Sequence, residues 1–242
     1  GLDAVVHLAG ENIASSRWTP ELKRRIFDSR VNGTRLLSEA LAKCAQPPKV
    51  LVSASAIGYY GNRGDEVLTE ESELGTGFLA KVCRDWEAAV ESATQKGIRT
   101  VLLRIGVVLS STGGALKRML LPFKFGLGGL VGDGKQYMSC IGLDDAIGAI
   151  HHTIVTGSLS GPVNAVSPQA VTNREYTKAL GKVLGRPTIF PMPAFAARMA
   201  FGEMADELLL SSARVEARKL LESGYTFRSP TLESILRHGL GK

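Results

Sequence analysis

Four nearly continuous apolar runs constrain this chain most: "DAVVHLAG" (3–10), "KVLVSASAIG" (49–58), "TVLLRIGVVL" (100–109) and "PVNAVS" (162–167). A strand that alternates apolar and polar residues leaves one face wet. Runs without alternation belong to strands covered on both faces, as in a parallel sheet. Helical patterns separate the first three runs. Thr19 reads as an N-cap with Pro20 at the first helical position. Leu22, Ile26, Ser29, Gly33, Leu37, Ala40 and Cys44 then share one face of a helix reaching about residue 44. A second helix reads from about 78 to 96, stopped by Gly97, with a stripe of Leu79, Val82, Cys83, Trp86, Val90 and Ala93. Strand, helix, strand, helix, strand at these lengths predicts right-handed crossovers and an α/β, doubly wound parallel sheet.

Past Leu109 the pattern changes. Residues 110–136 carry seven glycines in 27 positions and read as a loop-rich region with one short helix. A helix follows over about 144–156, ended by Gly157, and Thr172 with Glu175 has capping-box spacing. Apolar helical segments close the chain around 195–204 and 231–238; the stretch from Phe195 to Leu210 reads as packed inside a small lobe or, less simply, as a partner surface. The expected division is a parallel-sheet portion over 1–111 and a smaller C-terminal α+β lobe over 112–242, with 141–167 packing back on the sheet.

Charge excludes some partners. The net charge of +6 comes from 29 Lys and Arg against 23 Asp and Glu. These residues are scattered, with no basic block, which speaks for solvated surface and against nucleic acid, leaving room for an anionic cofactor. Cys44, Cys83 and Cys140 are odd in number and lack a CxxC, so no disulfide framework or zinc site is expected. That usage fits a reducing compartment, the cytoplasm or a plastid stroma. No apolar run approaches the roughly 18 residues of a membrane span. His7, His151, His152 and His238 show no metal-ligand spacing, and Asp144 with Asp145 fits helix N-terminal capping.

Six segments in order, "VVHLAGENI", "SRVNGTRLL", "VLVSASAIGYYG", "LRIGVVLS", "FGLGGLVGDGKQ" and "FGEMADELLL", carry a family likeness. Together they closely resemble the atypical, extended short-chain dehydrogenases, in the nucleoside-diphosphate-sugar epimerase-like subgroup also called cell-division-inhibitor-like. The resemblance implies a Rossmann domain binding NADP(H) or NAD(H), and a smaller lobe closing over a small-molecule substrate. A homo-oligomer is compatible with the sequence, which does not fix the state. The resemblance also implies an N-terminal glycine fingerprint, and this sequence has none. The glycines at 126–134 open no evident helix and read as a substrate-lobe loop. The 242 residues are therefore expected to be a fragment without the first βαβαβ unit, leaving the strand around Val5 at a sheet edge.

The resemblance places Leu8, Ala9 and Gly10 beside the dinucleotide, with Ser53 and Ala54 at the next strand end and Gly106 and Val107 near the nicotinamide. Gly33 is expected to let its helix approach the sheet. For Arg30 two readings stand: a phosphate partner in NADP-binding members, or an exposed helix arginine. Chemistry in active members needs Tyr and Lys at i and i+4 with a nearby Ser, since a free tyrosine with pKa of about 10 is a poor base. Tyr59, Tyr60, Tyr137, Tyr176 and Tyr225 are followed four residues on by Arg63, Gly64, Ile141, Leu180 and Ser229, so no such pair exists. By the resemblance, Leu79 and Cys83 stand where the tyrosine and lysine belong, and Cys140 and Gly142 replace Trp and His of related members. Ser55 matches the family serine. Tyr60 reads either as a proton donor or as half of an aromatic pair packed under the lobe. Two functions follow: an NADP(H)-dependent oxidoreductase or epimerase-like enzyme using Ser55 and Tyr60, or a dinucleotide-binding regulatory protein that has lost the chemistry.

Overall fold

The computed structural model describes residues 1–242. Four parallel strands, β1 (Ala4–His7), β2 (Val50–Ala56), β4 (Arg99–Ile105) and β8 (Gly161–Ala165), form the main sheet in the order β1-β2-β4-β8. All four lie within the predicted apolar runs or overlap them. The third run is two strands: β4 ends at Ile105, and β5 (Val107–Leu109) leaves to pair with β7 (Cys140–Gly142). Gly106 is the break. A Cβ there would stand 2.5 Å from the Ser139 carbonyl oxygen and 2.8 Å from Val166 Cγ1. Two-residue strands β3 (Val67–Leu68) and β10 (Arg214–Val215) pair with each other, as do β6 (Tyr137–Met138) and β9 (Val171–Thr172).

Helix α1 (Pro20–Lys43) starts where the sequence predicts, with the Thr19 hydroxyl accepting from the Leu22 amide. Its buried face differs in the second half: Val31, Thr34, Ser38 and Leu41 turn inward, and Cys44 is exposed. Thr34 accepts from Trp86 Nε1 and Ser38 from the Ala93 amide, so polar side chains with specific partners occupy positions that apolar periodicity passes over. A Cβ on Gly33 would touch nothing, which removes its expected packing role. The second helix is two, α2 (Phe78–Ala88) and α3 (Glu91–Gln95). The Ala93 amide bonds Ser38 Oγ and the Val90 carbonyl, and the helix breaks before it.

In the C-terminal half, α4 (Gly114–Lys124) follows β5, and α5 (Leu143–Val155) leads into β8. The Thr172–Glu175 capping box opens α6 (Asn173–Leu184), which ends at left-handed Gly185. Then come α7 (Ala194–Phe201), a π-helical turn at Ala205–Leu209, α8 (Arg218–Glu222) and α9 (Leu232–Leu240). One core joins Val50, Val52, Val101, Leu103 and Val163 of the sheet to Ala146 and Ala149 of α5 and Leu220 of α8; a second joins α4, α6 and α9. No helix is long and apolar enough to cross a membrane.

Candidate dinucleotide crevice and the polar row beneath it

In parallel α/β sheets, ligands bind outside the carboxyl ends of the strands. Here β1 ends in Leu8, Ala9 and Gly10, all exposed, and the chain passes into the loop 11–18. Arg30 of α1 lies against that end: a Cβ on Gly10 would stand 3.0 Å from its Cζ. Its Nη1 donates to the Glu11 carbonyl at 3.0 Å and to Ile26 at 3.3 Å, and its guanidinium sits 5.1 Å from the Trp86 ring. Ser29 Oγ accepts from the Glu11 amide, so two adjacent α1 side chains fix the loop's start. Burial lowers the Arg30 pKa, countered in part by Cys83 and Glu11. Arg30 forms no ion pair, and no hydrogen bond within the chain uses its Nε or Nη2. His7, one residue before Leu8, has a buried Nε2 without a partner, and burial lowers its pKa.

A polar row crosses the sheet. Ser55 of β2 pairs in register with Arg104 of β4, and Arg104 pairs with Asn164 of β8, so their side chains share a face. Arg104, 3% exposed, is bidentate to Glu87 of α2 at 2.8 Å on both arms, and Ser55 donates to Glu87 Oε1 at 2.6 Å. Its Nη1 donates to the Tyr60 hydroxyl at 3.0 Å, and Tyr60 in turn donates to Asn164 Oδ1 at 2.7 Å. Tyr59 stacks on the same guanidinium at 3.5 Å. Glu70 Oε1 accepts from the Asn164 and Lys219 amides, while its Oε2 is buried without a partner. Burial raises the Tyr60 pKa to about 12, against the pull of Arg104. Burial works against the Arg104 charge, but Glu87 and Tyr60 outweigh it and raise its pKa.

A third feature joins lobe to sheet. Glu207, in the π-helical turn, accepts from the Phe78 amide at 2.8 Å and the Leu79 amide at 3.2 Å, covering the N-terminus of α2. Gly77, with φ of +108°, makes room: a Cβ there would stand 2.3 Å from Glu207 Oε1. A carboxylate at a helix N-terminus is held by free amides and by the helix dipole.

The family model described as "NAD dependent epimerase/dehydratase family" matches residues 1–165, and a domain of unknown function, DUF1731, matches 192–239. The chain belongs to the NAD dependent epimerase/dehydratase family. An epimerase family protein of Mycobacterium tuberculosis is 47% identical over 97% of this chain and 77% of its own length. The human epimerase family protein SDR39U1 (isoform 2), solved with NADPH, superposes with a TM-score of 0.94 at 34% identity, over 100% of this chain and 83% of that one. The nucleoside-diphosphate sugar epimerase of Corynebacterium glutamicum gives 0.80 at 38% identity, over 99% of this chain and 46% of that one. The UDP-glucose 4-epimerase of Thermus thermophilus, at 20% identity and a TM-score of 0.75, shows the fold alone.

Within this family frame, the residues singled out from sequence divide among several surroundings. Leu8, Ala9 and Gly10 are exposed beyond the end of β1, and Arg30 lies against Gly10. Ser53 and Ala54 are buried in β2. Gly106 and Val107 are half-buried; the Gly106 amide donates to the Ala165 carbonyl and the Val107 amide to Ser139, so chain packing alone accounts for that glycine. Ser55 and Tyr60, expected to serve a substrate oxygen, are 3% and 0% exposed and turned into the polar row. Leu79 and Cys83 pack against Gly58, and burial with Glu87 nearby pushes the Cys83 thiol up to about 12. Sequence reasoning missed Glu87, Arg104, Asn164 and Glu207. Arg104 alone carried a signal, a charge inside an apolar strand. No three His, Cys, Asp or Glu side chains gather where they could hold a metal ion.

Proposed function

We propose that this protein binds NADP(H) in preference to NAD(H) across the carboxyl ends of β1, β2 and β4, with the C-terminal lobe from about residue 112 covering a small hydroxylated or carbonyl substrate. Arg30 carries this reading. It is a half-buried cation without an ion pair, held over Gly10 with two nitrogens uncommitted. An unpaired buried charge is costly, and a guanidinium matches phosphate in a bidentate way. That a human relative was solved with NADPH supports NADP(H) as the ligand. Leu8, Ala9 and Gly10 offer exposed backbone for the dinucleotide, Ser53 and Ala54 lie beneath, and Gly106 and Val107 bound the nicotinamide end. A bound nicotinamide would supply hydride exchange, and the residues named here would hold and orient it.

Ser55 and Tyr60 then support the floor of the crevice and leave the substrate oxygen to other groups. Ser55 spends its hydrogen on Glu87, and Tyr60 spends its own on Asn164. That network, with Leu79 and Cys83 in place of a tyrosine and lysine, favours the second reading: a dinucleotide-binding regulatory protein without epimerase turnover. A fluorescence titration tests the dinucleotide site that both readings share. Saturable NADPH binding at least about tenfold tighter than NADH, or 1.4 kcal/mol, is expected; equal affinities remove the phosphate role of Arg30, and no binding of either removes the proposal.

A further inference from the structure

Exposed large apolar side chains concentrate in two segments of the C-terminal lobe. Leu121, Phe125 and Leu127 belong to the first, and Ile189, Phe190, Met192, Phe195 and Met199 to the second, with exposures from 39% to 73%. Within the predicted 195–210 stretch, Phe195 and Met199 are exposed while Ala197, Met204 and Ala205 are buried. The two segments adjoin. Gly126 approaches Pro187, the Phe190 amide donates to Gly128, and Val131 bridges to Met192. Loop 11–18 closes the circuit, since Arg118 donates to the Ala14 carbonyl and Arg17 to that of Met199. Apolar patches beyond a few hundred Å² are uncommon on monomers and mark interaction sites.

Charge selects the partner. Residues 114–132 and 185–202 contain Lys117, Arg118, Lys124, Arg186 and Arg198, and no Asp or Glu. Arg198 is paired with Asp206, and Lys23 with Glu203 at the margin, while Lys117, Lys124 and Arg186 are exposed without ion pairs. A second copy of the chain would bring these like charges together, and protein interfaces are depleted in lysine. An anionic bilayer attracts each Lys or Arg near its surface by about 1 kcal/mol. Phenylalanine, leucine and methionine side chains insert just below headgroups. We infer that this basic, apolar face docks peripherally on an anionic membrane surface.

The test is flotation of the full chain with vesicles of phosphatidylcholine alone or mixed with phosphatidylglycerol. Partition into the mixed vesicles is expected to fall by at least about tenfold in Lys117→Glu/Lys124→Glu, and comparably in Phe125→Ser/Phe195→Ser, with thermal melts unchanged. High salt is expected to weaken binding through screening. Equal partition into both vesicle types overturns the inference, as does indifference to both double substitutions. A concentration-dependent dimer that Phe125→Ser/Phe195→Ser dissolves, without vesicle binding, also overturns it and assigns the face to a second copy.

Discussion

Tyr60, a candidate proton donor by its place in the sequence, is buried in the fold. Its hydroxyl joins Arg104 to Asn164 in the interior, and burial raises its pKa from 10.0 to about 12. Tyr60→Phe is expected to cost about 1–3 kcal/mol in denaturant unfolding, the penalty of leaving buried partners unmatched. The raised pKa also sets a pH window. Below pH 10 Tyr60 is protonated folded and unfolded; between about 10 and 12 only the unfolded state ionises, so stability falls as pH rises through that window. Tyr225, also pushed up to about 12 by burial and Asp145, adds to the same limb. In Tyr60→Phe the alkaline loss of stability is expected to shrink; an unchanged slope contradicts its assignment. Glu87→Gln is expected to destabilise more, by about 3–5 kcal/mol, because it strands the Arg104 charge that Glu87 holds with both oxygens.

At the scale of elements, Glu207 ties the C-terminal segment to α2. Glu207→Ala is expected to cost about 1–2 kcal/mol and to speed hydrogen exchange at the Phe78 and Leu79 amides before others. Uniform exchange across α2 in that variant contradicts a local latch. Elements were legible in proportion to their length. The four sheet strands and the start of α1 follow from runs and caps that local chemistry dictates. The two-residue strands left no period to read. The break between α2 and α3 was hidden because Ser38, 55 residues away, takes the Ala93 amide. At the strand ends, glycine and small residues marked the candidate positions for close approach. The row Ser55–Arg104–Asn164 was not, because strand register across the sheet decides it and no local spacing encodes register.

At the scale of the whole molecule, Glu87 ties the polar row of the sheet to α2, and Glu207 ties the π-helical turn to the same helix. β1 forms an edge of the main sheet, with Val6 and Leu8 exposed, and Arg30 reaches across to its end. On the proposed reading, NADP(H) recognition depends on Arg30, and Tyr60 serves the stability of the fold. The most direct measurement is a calorimetric titration of NADPH into the wild-type chain, Arg30→Ala and Tyr60→Phe. Saturable binding that weakens at least about tenfold, or 1.4 kcal/mol, in Arg30→Ala and holds in folded Tyr60→Phe is the predicted result. Binding unchanged by Arg30→Ala but abolished in folded Tyr60→Phe contradicts the account.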